Sequence, residues 1–252
     1  MNRRKQRRSS RSAVLYILVG ALLIILLTVF GTSGFLRIVE IEVEGASIYS
    51  ADEIIKVSGI SFGDHLLFVD RIAAARRIEQ ALPFIKGATV SRLPPGAVRI
   101  EVSESTALAS IPVIGDVIII DSSGRVLERV ASAPEGLIAV RGFTPGEAVE
   151  GSKLKAEQGD EYRMELMLDL LAAFEREKMD KLVSYLDVTY TAPIEFDYMV
   201  NYKVILSAPN NLKQKLESLR GAIEVVEETY PQGVTGTLRA AQSGEWRFTL
   251  DN

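Results

Sequence analysis

The stretch from Ala13 to Leu36, AVLYILVGALLIILLTVFGTSGFL, contains no charged side chain and constrains everything on either side of it. At about 1.5 Å rise per residue it reaches roughly 36 Å as a helix, enough to cross a hydrocarbon core of about 30 Å with some tilt. We read it as a membrane-spanning helix over residues 13–36. A secretory signal peptide is the alternative, but its apolar region usually runs about 7 to 15 residues before a small-x-small cleavage site. Gly31, Thr32, Ser33 and Gly34 are small enough to keep cleavage open. A buried soluble helix would need a core wrapped around all its faces.

The flanking charges give the span a direction. Arg3, Arg4, Lys5, Arg7, Arg8 and Arg11 precede it without an acidic residue, whereas Arg37 stands alone after it. Positive-inside bias makes residues 1–12 a cytoplasmic tail and puts the remainder outside the cytoplasmic membrane. That remainder, about 215 residues, suits two small domains. It holds all 33 acidic side chains against 23 basic ones, a net of −10, which argues against nucleic acid as a partner. With no cysteine, the external fold rests on its apolar core.

The first external segment opens with a strand in which Val39, Ile41 and Val43 alternate with Glu40, Glu42 and Glu44. Ser50 and Glu53 form a capping box before a short helix closed by Gly59, and Asp70 has the character of an N-cap for a second helix. That helix presents Ile72, Ala75, Ile78, Ala81 and Leu82 as its apolar face and stops before Pro83. Strands over 88–93 and 98–102 follow, joined by Pro94, Pro95 and Gly96. The order is strand, helix, helix, strand, strand.

The runs VEIEVEGASIYSADEIIKVSGISFGDHLLFVD and LPFIKGATVSRLPPGAVRIEVSES resemble the polypeptide-transport-associated (POTRA) domain of the FtsQ/DivIB bacterial cell-division proteins. The resemblance rests on the strand ending in Val-x-Gly, the S-x-x-E helix start, the Gly-Ile-x-x-Gly turn, Leu-Pro-Phe-Ile and P-x-x-V-x-I-x-V. It implies a POTRA domain over 37–105 and a β-domain over 106–252. At one position the chain departs from the pattern: Ser105 follows Glu104 where the family usually carries Arg, at a site expected to be exposed.

Beyond Glu104, strands are expected over 107–113, 117–121 and 125–130, with a tight turn at Asp121-Ser122-Ser123-Gly124. A loop-rich connection over 131–159 contains a short strand at 137–140. A helix over 161–179 carries Met164, Met167, Leu168, Leu171 and Phe174 on one side. Strands over 183–188 and 198–206 precede a helix over 211–228 with a stripe of Leu212, Leu216, Leu219, Ile223 and Val226. Strands over 233–240 and 245–250 finish the chain around Gln242, Ser243 and Gly244. The fold class is α+β, a POTRA domain followed by a mixed domain with an extended antiparallel sheet. In VILSAPNNLKQKL, Ser207 stands where the family often has Gly, an awkward choice if that turn needs positive φ.

Catalytic signals are sparse. His65 is the only histidine and sits in a turn between apolar residues, and neither a phosphate-binding loop nor a His/Cys set for zinc is present. Glu40, Glu42 and Glu44 share a strand face, an arrangement that usually marks a solvated face rather than a cation site. No cofactor, metal, small-molecule substrate or enzyme activity is expected. The resemblance instead implies a divisome scaffold that binds FtsB/DivIC-like and FtsL-like coiled-coil proteins and links septum assembly to septal peptidoglycan synthesis. The implied site is an edge strand that accepts a partner segment. On this sequence that edge is expected in Thr237, Leu238, Arg239, Ala240 and Ala241 and in Trp246, Arg247 and Phe248, with the two arginines facing acidic groups. A POTRA-bearing scaffold of a secretion or sporulation complex and an anchored cell-wall hydrolase are the competing readings.

Overall fold

The computed structural model describes residues 7–32, 36–231, 233–241 and 244–251. The expected turn residues Gln242 and Ser243, and the first six residues of the tail, lie outside them. Helix α1 runs Arg7–Thr32, and its side chains are described over 13–25. Among the described residues no helix is long and apolar enough to cross a membrane. Residues up to Ile78 together with Gly87–Val102 form one compact unit, and Glu79–Lys86 with Ser103–Asn252 form a second.

Residues 37–105 follow the expected order: β1 (Glu40–Glu44), α2 (Ala51–Ser58), α3 (Arg71–Ala81), β2 (Ile85–Leu93) and β3 (Ala97–Glu104), with sheet order β1-β3-β2. The capping box forms as read: Glu53 N donates to Ser50 Oγ at 3.3 Å, and Ser50 N to Glu53 Oε2 at 2.9 Å. Gly59 closes α2 in the left-handed region at φ 70°, and Ala73 N donates to the Asp70 carboxylate at 3.0 Å to start α3. Two apolar faces differ from expectation. On α3 the buried positions are Ala74 and Ile78, while Ile72 and Ala81 are exposed. Val39, placed on the buried face of the first strand, precedes β1 and is 76% exposed, and Ile41 and Val43 within the strand are only half-buried.

The second unit is a nine-stranded sheet. Its strands are β4 (Ala109–Val113), β5 (Asp116–Ile120), β6 (Val126–Val130), β7 (Ile138–Arg141), β8 (Val183–Asp187), β9 (Ile194–Tyr198), β10 (Tyr202–Leu206), β11 (Gly236–Ala240) and β12 (Trp246–Leu250), with helices α4 (Glu161–Arg176) and α5 (Leu212–Thr229). The spatial order is β12-β11-β10-β9-β8-β7-β4-β5-β6. The expected antiparallel sheet is in fact mixed: β4–β7, β7–β8 and β10–β11 pair in parallel. Parallel neighbours need a long crossover, and α4 supplies one between β7 and β8 while α5 supplies another between β10 and β11. One hydrophobic cluster joins Met167, Leu171 and Phe174 of α4 and Leu216, Leu219 and Ile223 of α5 to Val140, Phe196, Val204 and Leu238 of the sheet. Burying each of these side chains is worth about 1.5–3 kcal/mol against exposure.

Strand β9 is absent from the sequence reading, which ran one strand through 198–206. Instead β9 and β10 form a hairpin whose tip holds Met199 at φ 51° and Val200 at φ 65°. Val200 is 87% exposed.

Both family departures have local structural accounts. Ser105 is buried rather than exposed, and its Oγ donates to Asp121 Oδ2 at 2.7 Å. Ser207 is not among the positive-φ residues, and its Oγ donates to Ala240 O at 2.7 Å, which ties the end of β10 to the end of β11.

Candidate functional site

The eight residues expected to form a binding edge do not share one. Thr237, Leu238, Arg239 and Ala240 lie on β11, which is paired on one side with β10 and on the other with β12. Its backbone has no side left for a further strand, and Leu238 and Ala240 are buried. Ala241 follows β11 and donates its N–H to Glu245 O at 2.9 Å in the connecting turn. The open side of the sheet is therefore β12, and Arg239 is the β11 side chain that remains exposed beside it.

The phase of the β11–β12 ladder fixes which groups face outward. Ala241 N bonds Glu245 O at one end and Asp251 N bonds Thr235 O at 3.3 Å at the other. In an antiparallel ladder, hydrogen-bonded pairs alternate with non-bonded ones. The register then makes Arg239–Arg247 and Thr237–Thr249 bonded pairs, so the N–H and C=O groups of Trp246, Phe248 and Leu250 point away from β11. The opposite end of the sheet is covered. Val126 N on β6 donates to Ser152 O at 2.9 Å, Gly151 N to Val126 O at 2.8 Å, and Arg129 N to Glu150 Oε1 at 3.0 Å.

Side chains hold β12 in place. Trp246 and Phe248 pack against the hydrophobic cluster. Trp246 Nε1 donates to Ser218 Oγ on α5 at 2.9 Å, and Phe248 lies 5.2 Å from Tyr230 and 6.4 Å, edge-on, from Tyr202. Both aromatic residues are therefore engaged within the chain and only half-buried. Gly236 is required where it stands: a Cβ there would meet the Phe248 ring at 2.5 Å and Thr249 O at 2.6 Å.

On the other face of the strands, Arg239 and Arg247 are exposed and directly opposite each other. Neither forms an ion pair among the described residues. Like charges in this position repel, so the pair is a local site of excess positive charge. Nearby, Lys215 of α5 is buried and bonds Ala208 O at 2.9 Å and Asn210 Oδ1 at 2.7 Å. Burial lowers its pKa. Its role is to pin the loop between β10 and α5, a role the sequence did not signal.

Elsewhere, the carboxylate row on β1 is answered by its neighbour strand. Arg99 sits opposite Glu42, with contacts of 2.9 Å to Glu42 and 3.1 Å to Glu44, and its pKa is raised by the hydrogen bond to Glu42 and the charge of Glu44. The row is a strand-pairing feature. Among the described residues no group of three or more acidic or histidine side chains is arranged to hold a metal. His65 stacks on Phe68 with centroids 4.8 Å apart.

Comparison with known proteins agrees with this architecture. The family described as "POTRA domain, FtsQ-type" matches residues 36–105. The "Cell division protein FtsQ" of Corynebacterium glutamicum is 31% identical over 137 residues, 53% of this chain and 60% of that protein. The proteins of the same name from Anaeromyxobacter sp. and Bradyrhizobium diazoefficiens are 34% and 36% identical over 97 and 101 residues. Those matches cover 38% and 40% of this chain, but only 32% and 29% of the two relatives.

Proposed function

We propose that this chain, which its FtsQ-type POTRA match over residues 36–105 and its FtsQ relatives support as a member of the FtsQ/DivIB family, is a bitopic divisome scaffold anchored in the cytoplasmic membrane by residues 13–36. The tail 1–12 is cytoplasmic, 37–105 is the POTRA domain and 106–252 the β-domain. Support for the anchor comes from α1 itself: over residues 13–25 every side of the helix is open, and Val14, Leu15, Ile17, Leu18, Leu22 and Ile24 are all exposed. An apolar helix exposed all round calls for lipid.

The partner is a segment of an FtsB/DivIC-like protein, held together with its FtsL-like companion, and it joins the sheet beside β12. The observation that carries this reading is the outward row of backbone groups at Trp246, Phe248 and Leu250, flanked by the unpaired Arg239–Arg247 couple. Strand addition uses the first, and acidic side chains on the partner answer the second. Through these contacts the scaffold links septum assembly to septal peptidoglycan synthesis, and its work is recognition rather than catalysis.

A fluorescent fusion tests the cellular role. Bands at mid-cell confined to dividing cells are expected; uniform membrane staining in such cells counts against it and favours a secretion or sporulation scaffold. A photo-crosslinker at Arg247 tests the edge, which is wrong if no small coiled-coil protein is captured there while other surface positions capture one. Turnover of peptidoglycan by the purified chain would revive the hydrolase reading.

A further inference from the structure

We infer that the segment from Phe62 to Ile72 of the first unit is a lipid-contacting surface that rests on the outer leaflet of the same bilayer in which the chain is anchored. This rests on the anchor proposed above.

The argument begins with the tether. Helix α1 ends at Thr32, and four peptide steps lead to Leu36, a reach of at most about 14 Å when fully extended. The chain beyond Leu36 is then stitched directly to the segment in question. Arg37 bridges His65, Arg37 Nη1 donates to Gly63 O at 2.8 Å, Ile38 N to Asp64 O at 2.9 Å, and Gly63 N to Ile38 O at 2.8 Å. Whatever the tilt of α1, this segment stays close to the membrane surface.

Its side chains divide into two sets. Leu66 and Val69 are buried, as is Ile60 just before the segment, which is enough to hold it on the unit. Phe62 is 63% exposed, Phe68 83%, and Leu67 and Ile72 are also open to solvent, with Val39 beside the tether. These residues add nothing to the core, yet they are the large apolar types that a solvent-facing loop has least use for. At headgroup depth they bury in the acyl boundary as the apolar side of an interfacial element does.

The backbone is already suited to that setting. Asp64 N donates to Ser61 O, Phe68 N to His65 O at 2.9 Å, Ser61 N to the Asp64 carboxylate at 2.9 Å, and Ala73 N to the Asp70 carboxylate. Internal satisfaction of this kind lowers the cost of leaving water. Charges on and against the segment are mixed: Arg37, Arg71, Arg77 and Arg92, the last donating to Val69 O at 2.6 Å, stand with Asp64 and Asp70. Apolar burial therefore drives the contact, and a zwitterionic lipid is sufficient.

The chain has no cysteine, so Phe68→Cys gives a single labelling site at a position too exposed to disturb the fold. The full chain carrying an environment-sensitive fluorophore at that site is reconstituted into phosphatidylcholine vesicles, with or without bromine atoms high on the acyl chains. Blue-shifted emission, with loss of intensity in the brominated vesicles, is expected. A chain that floats with the vesicles but shows water-like, unquenched emission overturns the lipid contact and leaves the anchor intact. A chain that does not float overturns both. Emission that becomes shielded only when native membrane proteins are added assigns the surface to a protein partner and likewise overturns the proposal.

Discussion

Ser105 Oγ donates to Asp121 Oδ2 at 2.7 Å, and both residues are about 3% exposed. Asp121 also accepts from Ser123 Oγ at 2.6 Å and from the N–H groups of Ser123 and Arg125 at 2.9 Å each, which makes it the organiser of the turn between β5 and β6. The position that departs from the family pattern is thus a fixed part of the second unit. Ser105 N further donates to Phe84 O at 2.7 Å, and Arg125 Nε to Pro83 O at 2.7 Å, which is why residues 79–86 belong to that unit.

Ser105→Ala is expected to cost about 1–2 kcal/mol at neutral pH, since it removes one of several donors to a buried carboxylate. Burial alone would raise the Asp121 pKa, but the bonds from Ser123, Ser105 and the Arg125 N–H outweigh it and hold the group below its ordinary value near 3.8. A depressed carboxylate stabilises the fold above that value, and the stabilisation is lost as pH falls through the folded pKa. Removing Ser105 lets the pKa rise, so the midpoint of acid unfolding moves to higher pH. Denaturant titrations of the full chain in detergent at several pH values read both effects. A stability difference from the unchanged chain that stays constant from neutral pH to below 3 would refute the assignment.

Ser207→Gly restores the residue the family often carries, yet it is expected to destabilise the chain by about 1 kcal/mol. The hydroxyl bond to Ala240 O is lost, and no positive φ is relieved because Ser207 has none. A rise in thermal midpoint for the glycine variant would show that the turn is strained after all.

Much of the architecture was legible where chemistry is local. The S-x-x-E capping box, the Asp70 cap and the 3.6-residue stripe Leu216, Leu219, Ile223, Val226 announce their elements without tertiary help. The β9–β10 hairpin is hidden because its loop is Met199-Val200-Asn201 rather than Asn-Gly, and a lone Asn within a run of strand-forming residues does not announce a reversal. The expected binding set spans both β11 and the edge strand β12, and a different reason keeps the sequence from separating them. Which of two adjacent strands is outermost depends on the long-range parallel pairing of β10 with β11, set by the α5 crossover, and no local pattern near Thr237 records it.

The phase of β12 gives a paired test of strand addition. Proline lacks an N–H and is tolerated on an edge where that group faces outward. Leu250→Pro should therefore preserve thermal stability to within about 1 kcal/mol while reducing capture of the coiled-coil partner. Thr249→Pro removes an inward N–H and should unfasten β12 from β11. If Leu250→Pro binds the partner undiminished, the partner does not extend this edge.

Gly236→Ala should destabilise the same region by about 1–3 kcal/mol, the usual cost of an added methyl group in a packed site. The new Cβ meets the Phe248 ring and the Thr249 carbonyl, and moving either one separates β12 from β11. Hydrogen exchange is the appropriate readout, with faster exchange expected at Arg247 and Thr249 and unchanged protection on β5. Uniform acceleration across the sheet would mean that β12 is not an independently opening edge.

Val200→Gly is expected to stabilise the chain. Val200 is a β-branched residue held at φ 65°, 87% exposed, at the tip of the β9–β10 hairpin. The left-handed region costs a non-glycine residue roughly 1–2 kcal/mol, and glycine reaches it freely. Against this stands the greater entropy that glycine loses on folding, up to about 1 kcal/mol, so the net gain should be several tenths of a kcal/mol to 1 kcal/mol. A thermal midpoint raised by a few degrees is the expected result, with Lys203→Gly, on β10 outside the turn, as the destabilising comparison. If Val200→Gly lowers the midpoint as Lys203→Gly does, the strain at this tip does not exist and the hairpin must turn elsewhere.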